Sequence, residues 1–464
     1  MSCLPEAAWV SILSLEGPHS LPSFFSSVGD RIRMIYWAQL FHFYQPSVQL
    51  PMVVAKVCSE SYQPLIDVLQ KHPQARATAN INGVTLEMLH DYGHDDVVAG
   101  LRELAHGGQI EFVGSSKYHA ILPLLPDSER RRQIGLNLAV LQEFLGASFA
   151  PHGFFPPEMA YSGDIISAVV EAGHRWIILS GVACPAPWPL DKIYQVEVEG
   201  KRSAVFFRDD ILSNKISFKE LTPADFLQHL KSNYDGAQDM YVITAMDAET
   251  YGHHIKDWER LFLAAVYDKL HPGVETYSGI RQTVSTAAQE SALLESTEFT
   301  KRVRMVTISE LLDIFPSGEV IQPKPSSWST TAQDIDSGNS FPLWLDPGNE
   351  IHRLQWEHLH LCLETVGKAQ EYADGDEAGF FARIARGLLD LAEHSDQFWW
   401  ASRRPMWDIN LIHLGLNEQW RALVNGYRAI NKSAADPETK KSYYYRLVAA
   451  RDIRNKIEDR LFIW

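Results

Sequence analysis

Glu158 and Asp247 each close an apolar run, and both carry a group able to move a proton or attack carbon. Glu158 ends Gly-Phe-Phe-Pro-Pro-Glu (residues 153–158), and Asp247 ends Tyr-Val-Ile-Thr-Ala-Met-Asp (241–247). A run such as Tyr-Val-Ile-Thr-Ala-Met reads as a strand buried on both faces of a parallel sheet. A carboxylate where such a strand ends stands on the rim at which α/β enzymes keep their reactive groups. Two carboxyls converging there are the minimum equipment for breaking a glycosidic bond. Taken singly, each is equally a helix N-cap or a partner in a surface ion pair.

The elements that must position this pair follow from hydrophobic patterning. Strands are expected at Met34–His42, Ala77–Gly83, Gln109–Val113, the 153–158 segment, Trp176–Leu179, Ala204–Phe207 and Tyr241–Ala245. Helices are expected at Ser61–Lys71, Asp95–His106, Ser128–Phe144 and near 163–172. Strands alternating with helices imply a parallel α/β sheet, and the strand count favours a closed or nearly closed barrel over 34–316. Residues 317–350, rich in Ser, Pro, Gly and Asp with Trp328 and Trp344 embedded, read as a long connecting loop. From 351 to 464 the pattern is helical: His352–Tyr372, Gly379–His394, Asn410–Ile430 and Glu438–Asp459 form an all-α part.

Composition narrows the partners. The 464 residues carry a formal net charge of −16 and a sequence pI near 5.6. That argues against nucleic acid or anionic membrane as a partner, since both recruit basic surface. No apolar stretch reaches the roughly 18 residues of a membrane span. Cys3, Cys58, Cys184 and Cys362 show no close pairing, so neither a disulfide framework nor a zinc motif is expected and a cytoplasmic setting is. Residues 1–33 contain Val10–Leu15 without a preceding basic residue, followed by a Ser-, Pro- and Gly-rich stretch. They read as a weakly structured extension rather than a signal peptide, with Met34 as a candidate functional start.

Five segments together resemble glycoside hydrolase family 57, a group of retaining enzymes acting mainly on α-glucans. They are Phe41-His-Phe-Tyr-Gln-Pro46; Gly108-Gln-Ile-Glu-Phe-Val-Gly114 running on to Tyr118-His-Ala-Ile-Leu-Pro-Leu124; Phe155-Pro-Pro-Glu-Met-Ala160; Met246-Asp-Ala-Glu-Thr-Tyr-Gly252; and Ser395-Asp-Gln-Phe-Trp-Trp-Ala-Ser402. They lie in the family's order, and Phe207-Arg-Asp-Asp-Ile-Leu-Ser213 adds further similarity. The resemblance implies a seven-stranded (β/α) barrel followed by a C-terminal all-α helical domain, which agrees with the strand count. It matches Glu158 to the nucleophile and Asp247 to the general acid/base, and it implies an α-glucan or maltooligosaccharide substrate. No cofactor or metal is expected.

The remaining polar residues read as substrate holders. His42 and Gln45 follow the first strand, and His119 is expected in the sugar site next to the scissile bond. Glu111, inside a strand, orients His42, His119 or a sugar hydroxyl, or else sits in a structural ion pair. Arg208 and Asp209 either pair with each other or hold the nucleophile. Glu249 is expected behind the acid, and His254 beside it. Asp396 with Trp399 or Trp400 is expected to close the cleft, the indoles stacking on sugar faces; Trp37, Trp328 and Trp344 are further platforms, although core packing is the commoner use of a Trp. One departure is Gly252-His253-His254, where family amylases often read Gly-Glu-His.

An amylase-type hydrolase is the first reading, and a 4-α-glucanotransferase or branching enzyme on the same scaffold is the alternative. A catalytically silent glucan-binding protein is a third. A metal-dependent mannosidase or deacetylase would need clustered ligands such as His-x-Asp on the first strand, but the residue two past His42 is Tyr44.

Overall fold

The structure, a computed structural model, describes residues 32–150, 152–271 and 298–462. The expected extension 1–33 therefore lies, apart from its last two residues, outside the described residues. Among the described residues there are ten strands: β1 (Ile35–Phe43), β2 (Ala77–Ile81), β3 (Ile110–Val113), β4 (Gly153–Phe154), β5 (Trp176–Leu179), β6 (Ile193–Val198), β7 (Lys201–Phe207), β8 (Met240–Asp247), β9 (Val303–Val306) and β10 (Ser317–Val320).

Seven of them, β1 to β5, β7 and β8, form a curled parallel barrel. One sheet runs β3-β2-β1-β8 and the other β4-β5-β7-β6-β10. Two seams join them. At the first, Gly114 donates to the carbonyl of Gly153 and accepts from Phe155 N–H, both at 2.9 Å. A side chain at Gly153 would stand 2.1 Å from the Trp176 ring, so only glycine lets the strands meet there. At the second, Asp209 N–H donates to the carbonyl of Ile243 at 2.8 Å, and Arg208 Nε donates to that of Ala245 at 2.7 Å.

β1 is the axis of the arrangement, and all nine of its residues are buried. Ile35, Trp37, Phe41 and Phe43 pack outward under the surrounding helices. Tyr36, Ala38 and Leu40 point into a second cluster with Ile243, Ala245 and Ile177. This alternation is the period-two consequence of extended backbone. One edge of β1 pairs with β8 along its length. The other is divided, Ile35–Ala38 pairing with β9 and Leu40–Phe43 with β2.

β9 runs into a helix at Ile308–Ile314, started by a capping box between Thr307 and Glu310, which satisfies otherwise orphaned N–H groups. β6, β9 and β10 were not expected. β6 is antiparallel to β7 across a tight turn with positive φ at Glu199 and Gly200. The stretch expected as a connecting loop carries β10 at its start and a short helix at Ala332–Asp336.

Helices at Glu350–Gln370, Asp376–Ala392, Ile409–Lys432 and Pro437–Leu461 make up the C-terminal part. Asn349, Asp408 and Asp436 cap the first, third and fourth of these through their side-chain oxygens. Ion pairs tie this part to the barrel helix Asp127–Leu145: Arg132 to Asp390 at 2.6 Å and Arg386 to Glu129 at 2.8 Å.

Candidate active site

The carboxyl-terminal ends of the parallel strands gather most of the residues singled out by sequence. His42 is in register with Asp247 on β8 and with Asn80 on β2. Glu158 lies just past β4, in a short turn where Glu158 and Met159 both adopt left-handed backbone (φ 58° and 49°). Two such non-glycine residues in succession cost energy that only a constraining environment sustains.

That environment comes from the segment after β10. Trp328 N–H donates to the Glu158 carbonyl at 3.0 Å, and Trp328 Nε1 donates to Glu158 Oε2 at 2.6 Å. Glu158 Oε1 lies 3.8 Å from His119 Nδ1, and the side chain keeps 22% of its surface open. The carboxyl is thus part of a cleft wall. Burial pushes its pKa up to about 8, with the charge of Asp247 adding to the rise and the indole hydrogen bond opposing it.

Among the described residues, no hydrogen bond to the carboxyl of Asp247 is found. Its pKa is raised by burial, against the pull of His42 and Arg208. Glu249 is almost fully buried and accepts from Gln45 Nε2 at 2.8 Å and from Tyr62 OH. Burial and the charge of Asp247 push it up to about 8. Three neighbouring acids resist simultaneous ionisation, so near neutrality the group retains protons.

His42 and His119 are buried and neutral in character. Burial lowers the pKa of His42, and burial with the neighbouring His42 and His394 holds His119 well below the usual value. The hydrogen bonds assign their tautomers. His42 Nδ1 donates to Asn80 Oδ1 at 2.7 Å, so His42 Nε2 accepts from His119 Nε2 at 3.1 Å. His119 Nδ1 is then left to accept from Ser395 Oγ at 2.9 Å. The ring of Tyr44 stacks on His119 with centroids 3.8 Å apart, and Phe155 stacks on His42 at 4.7 Å.

Asp396 reaches the same place from the C-terminal part. Its Oδ2 accepts from Tyr44 OH at 2.5 Å and lies 3.1 Å from His394 Nδ1, whose other nitrogen is 2.9 Å from Glu418. Burial works against protonation of His394, yet Asp396 and Glu418 together push it up to about 9.

Other expected residues are not brought to the cleft. Glu111 sits near the amino end of β3, at the opposite rim, where its Oε1 accepts from Thr78 Oγ1 and from the N–H of Ser309. It anchors the helix Ile308–Ile314 instead of a sugar. Arg208 and Asp209 do not pair with each other. Arg208 binds Asp210 and Asn214, both at 2.9 Å, while Asp209 caps the next helix and accepts from Tyr234 OH. Burial would raise the Asp209 carboxyl, but these donors and His229 hold it low. Arg208 faces the site only through its field on Asp247 and its place 5.8 Å from the Trp328 ring.

His254 is exposed, its backbone bonded to the Glu249 carbonyl; His253 pairs with Glu60 at 2.7 Å. Trp400 is core, only 3% exposed, and packs near His394; Trp399 lies half-buried among the C-terminal helices. Trp37 and Trp344 are buried as well. Of the five tryptophans named from sequence, Trp328 is the one against a site carboxyl. Tyr44, Tyr62 and Ser395 were missed as site residues, although Tyr44 and Ser395 lie inside the quoted motifs.

A seven-stranded parallel barrel with acidic residues on its carboxyl-terminal rim and a helical C-terminal part is the framework of a class of carbohydrate-active enzymes. A branching enzyme of Pyrococcus horikoshii has this fold, with a TM-score of 0.64 over 92% of this chain and 95% of that one at 15% identity. The model of glycosyl hydrolase family 57 matches residues 27–312, and the chain belongs to that family. Curated relatives include alpha-amylase 1 of Dictyoglomus thermophilum, 29% identical over 148 residues covering 32% of this chain and 21% of that protein. A 4-alpha-glucanotransferase of Thermococcus litoralis is 23% identical over 265 residues, covering 54% of this chain and 38% of that protein. The chain thus matches well under half the length of these relatives. No helix among the described residues is long and apolar enough to cross a membrane.

Proposed function

We propose that the protein is a retaining glycoside hydrolase of α-glucans, with Glu158 as nucleophile and Asp247 as general acid/base. One observation carries the reading: at a single rim, one carboxyl is tethered by an indole, the other accepts no hydrogen bond among the described residues, and the charge of Asp247 raises the proton affinity of Glu158. A retaining mechanism asks for this asymmetry.

Glu158 attacks the anomeric carbon as the glycosidic C–O bond breaks. The bonding pair stays on the leaving oxygen, which takes the proton held by Asp247. Asp247, now a carboxylate, removes a proton from water, whose oxygen attacks the same carbon and releases Glu158. Every proton and electron pair comes from protein, sugar or water. Asp396 supplies a polar contact for sugar hydroxyls beside Glu158, His42 and His119 shape that wall through ring nitrogens already bonded within the protein, and Gln45 and Glu249 support Asp247 from behind.

Starch, glycogen and maltooligosaccharides are the proposed substrates. A reducing cytoplasmic compartment is the proposed setting, in keeping with the free thiols of Cys58, Cys184 and Cys362. A transferase reading, in which a sugar hydroxyl replaces water in the second step, is favoured by the match to a 4-alpha-glucanotransferase.

Glu158→Gln should abolish turnover of maltoheptaose while sparing its binding; hydrolysis at the wild-type rate would refute the assignment. Product profiling with and without an added acceptor sugar separates hydrolysis from transfer.

A further inference from the structure

The two oxygens of Glu158 have unequal surroundings. Oε2 accepts the indole N–H of Trp328 at 2.6 Å. Among the described residues, Oε1 receives no such donor; His119 Nδ1 lies 3.8 Å from it. That nitrogen is already the acceptor of Ser395 Oγ in the chain of tautomers, so its one lone pair is engaged there and it has no proton to give Oε1.

The donor is also fixed in place. Backbone bonds between Tyr161 and Ser326 run in both directions, and Lys324 N–H donates to the Ala183 carbonyl at 2.9 Å. Further along the same segment, Asp334 pairs with Arg404 at 2.8 Å. The indole edge faces His42 and Phe155 at 5.9 and 5.8 Å. A donor held this rigidly does not have to reorganise as charge develops.

We propose that Trp328 is the positioning residue of the nucleophile: its N–H fixes Oε2 and leaves Oε1 as the oxygen that attacks. The proposal rests on the nucleophile assignment of Glu158. In the first step Oε1 forms the ester to the anomeric carbon, while the glycosidic oxygen departs with the proton of Asp247. Oε2 becomes the ester carbonyl oxygen, still held by the indole. In the second step the C–O bond to Oε1 breaks, its electron pair returns to the carboxylate, and the N–H receives part of that charge. The donor therefore serves both half-reactions, strengthening where the carboxylate is ionised.

The groups facing Glu158 are Asp247 at the end of β8, Asp396 from the C-terminal part, His119 and Tyr44, with Arg208 behind the indole. Among these, the hydrogen bond from Trp328 lowers the pKa of Glu158. Its loss shifts the nucleophile's ionisation to higher pH.

The test uses the full chain with Trp328→Phe and, to preserve the bicycle, 3-benzothienylalanine at position 328, which lacks only the N–H. Both variants should lower kcat/KM on maltoheptaose by about 10- to 100-fold. They should move the acid limb of the pH profile upward and leave maltoheptaose binding in a Glu158→Gln background within about twofold. Carbon-13 resonances of the Glu158 carboxyl should titrate at higher pH than in the wild type, a readout that needs no activity. An unchanged acid limb and unchanged carboxyl titration in the benzothienyl variant would overturn the proposal, even with activity reduced. A wild-type protein that cleaves and transfers no glucan would overturn the functional reading beneath it, while the carboxyl titration would still report on the tether.

Discussion

Replacing His394 by Gln removes a buried imidazole flanked by two carboxylates, and its consequence can be worked from the structure. His394 is 1% exposed at its side chain, 3.1 Å from Asp396 and 2.9 Å from Glu418. Burial alone would expel its proton, but the carboxylates push the pKa from 6.5 to about 9. A folded-state pKa above the unfolded one contributes stability fully present below about pH 6.5 and lost as pH rises through about 9. The span corresponds to roughly 3 kcal/mol. Urea unfolding of wild type and His394→Gln should be followed between pH 7 and pH 10. The variant is the less stable at pH 7, and the gap should close by about 2–3 kcal/mol across that range. Other titrating groups are common to both proteins and cancel in the difference. A gap constant to within about 0.5 kcal/mol would refute the charged imidazole, and with it the electrostatic account of how Asp396 is held.

Gly252→Ala should destabilise the protein by about 3 kcal/mol or more, read as a lower denaturant midpoint; its φ is +115° and a Cβ would stand 1.8 Å from the Glu60 carbonyl oxygen. Glu111→Ala should cost about 1–3 kcal/mol of stability by stranding the Ser309 N–H and Thr78 hydroxyl, while KM for maltoheptaose stays within about twofold; a large rise in KM would return Glu111 to the substrate.

The barrel was readable because strands buried on both faces leave long apolar runs, as in Tyr241–Met246, and because helices between them carry their own start and stop residues. The C-terminal helices were placed within a few residues of their observed ends for the same reason. β6 escaped because its residues Ile-Tyr-Gln-Val-Glu-Val alternate apolar with polar and leave no such run; its signal was the Glu199-Gly200 turn. The site was legible where a motif and a strand end coincide, as at His42, Glu158 and Asp247. Glu111 shows the limit: its motif matched, but it stands near the start of β3, and strand direction decides which rim it serves. Arg208 and Asp209 show another, since Asp210 and Tyr234 compete for them and only packing settles which wins. Trp328 was one of five candidate tryptophans because nothing local announces a hydrogen bond spanning 170 residues.

That separation sets a clock on the protein's own synthesis. Tyr44 and Asp396 are 352 residues apart, and His119 and Ser395 are 276 apart. At about 5–20 residues per second, a ribosome that has delivered Tyr44 needs roughly 20–70 s to deliver its partner. Over the later part of that interval, once residue 247 has been made, the strand ends bearing Glu158 and Asp247 exist without Ser395 and Asp396, so the pocket is completed only when those residues arrive.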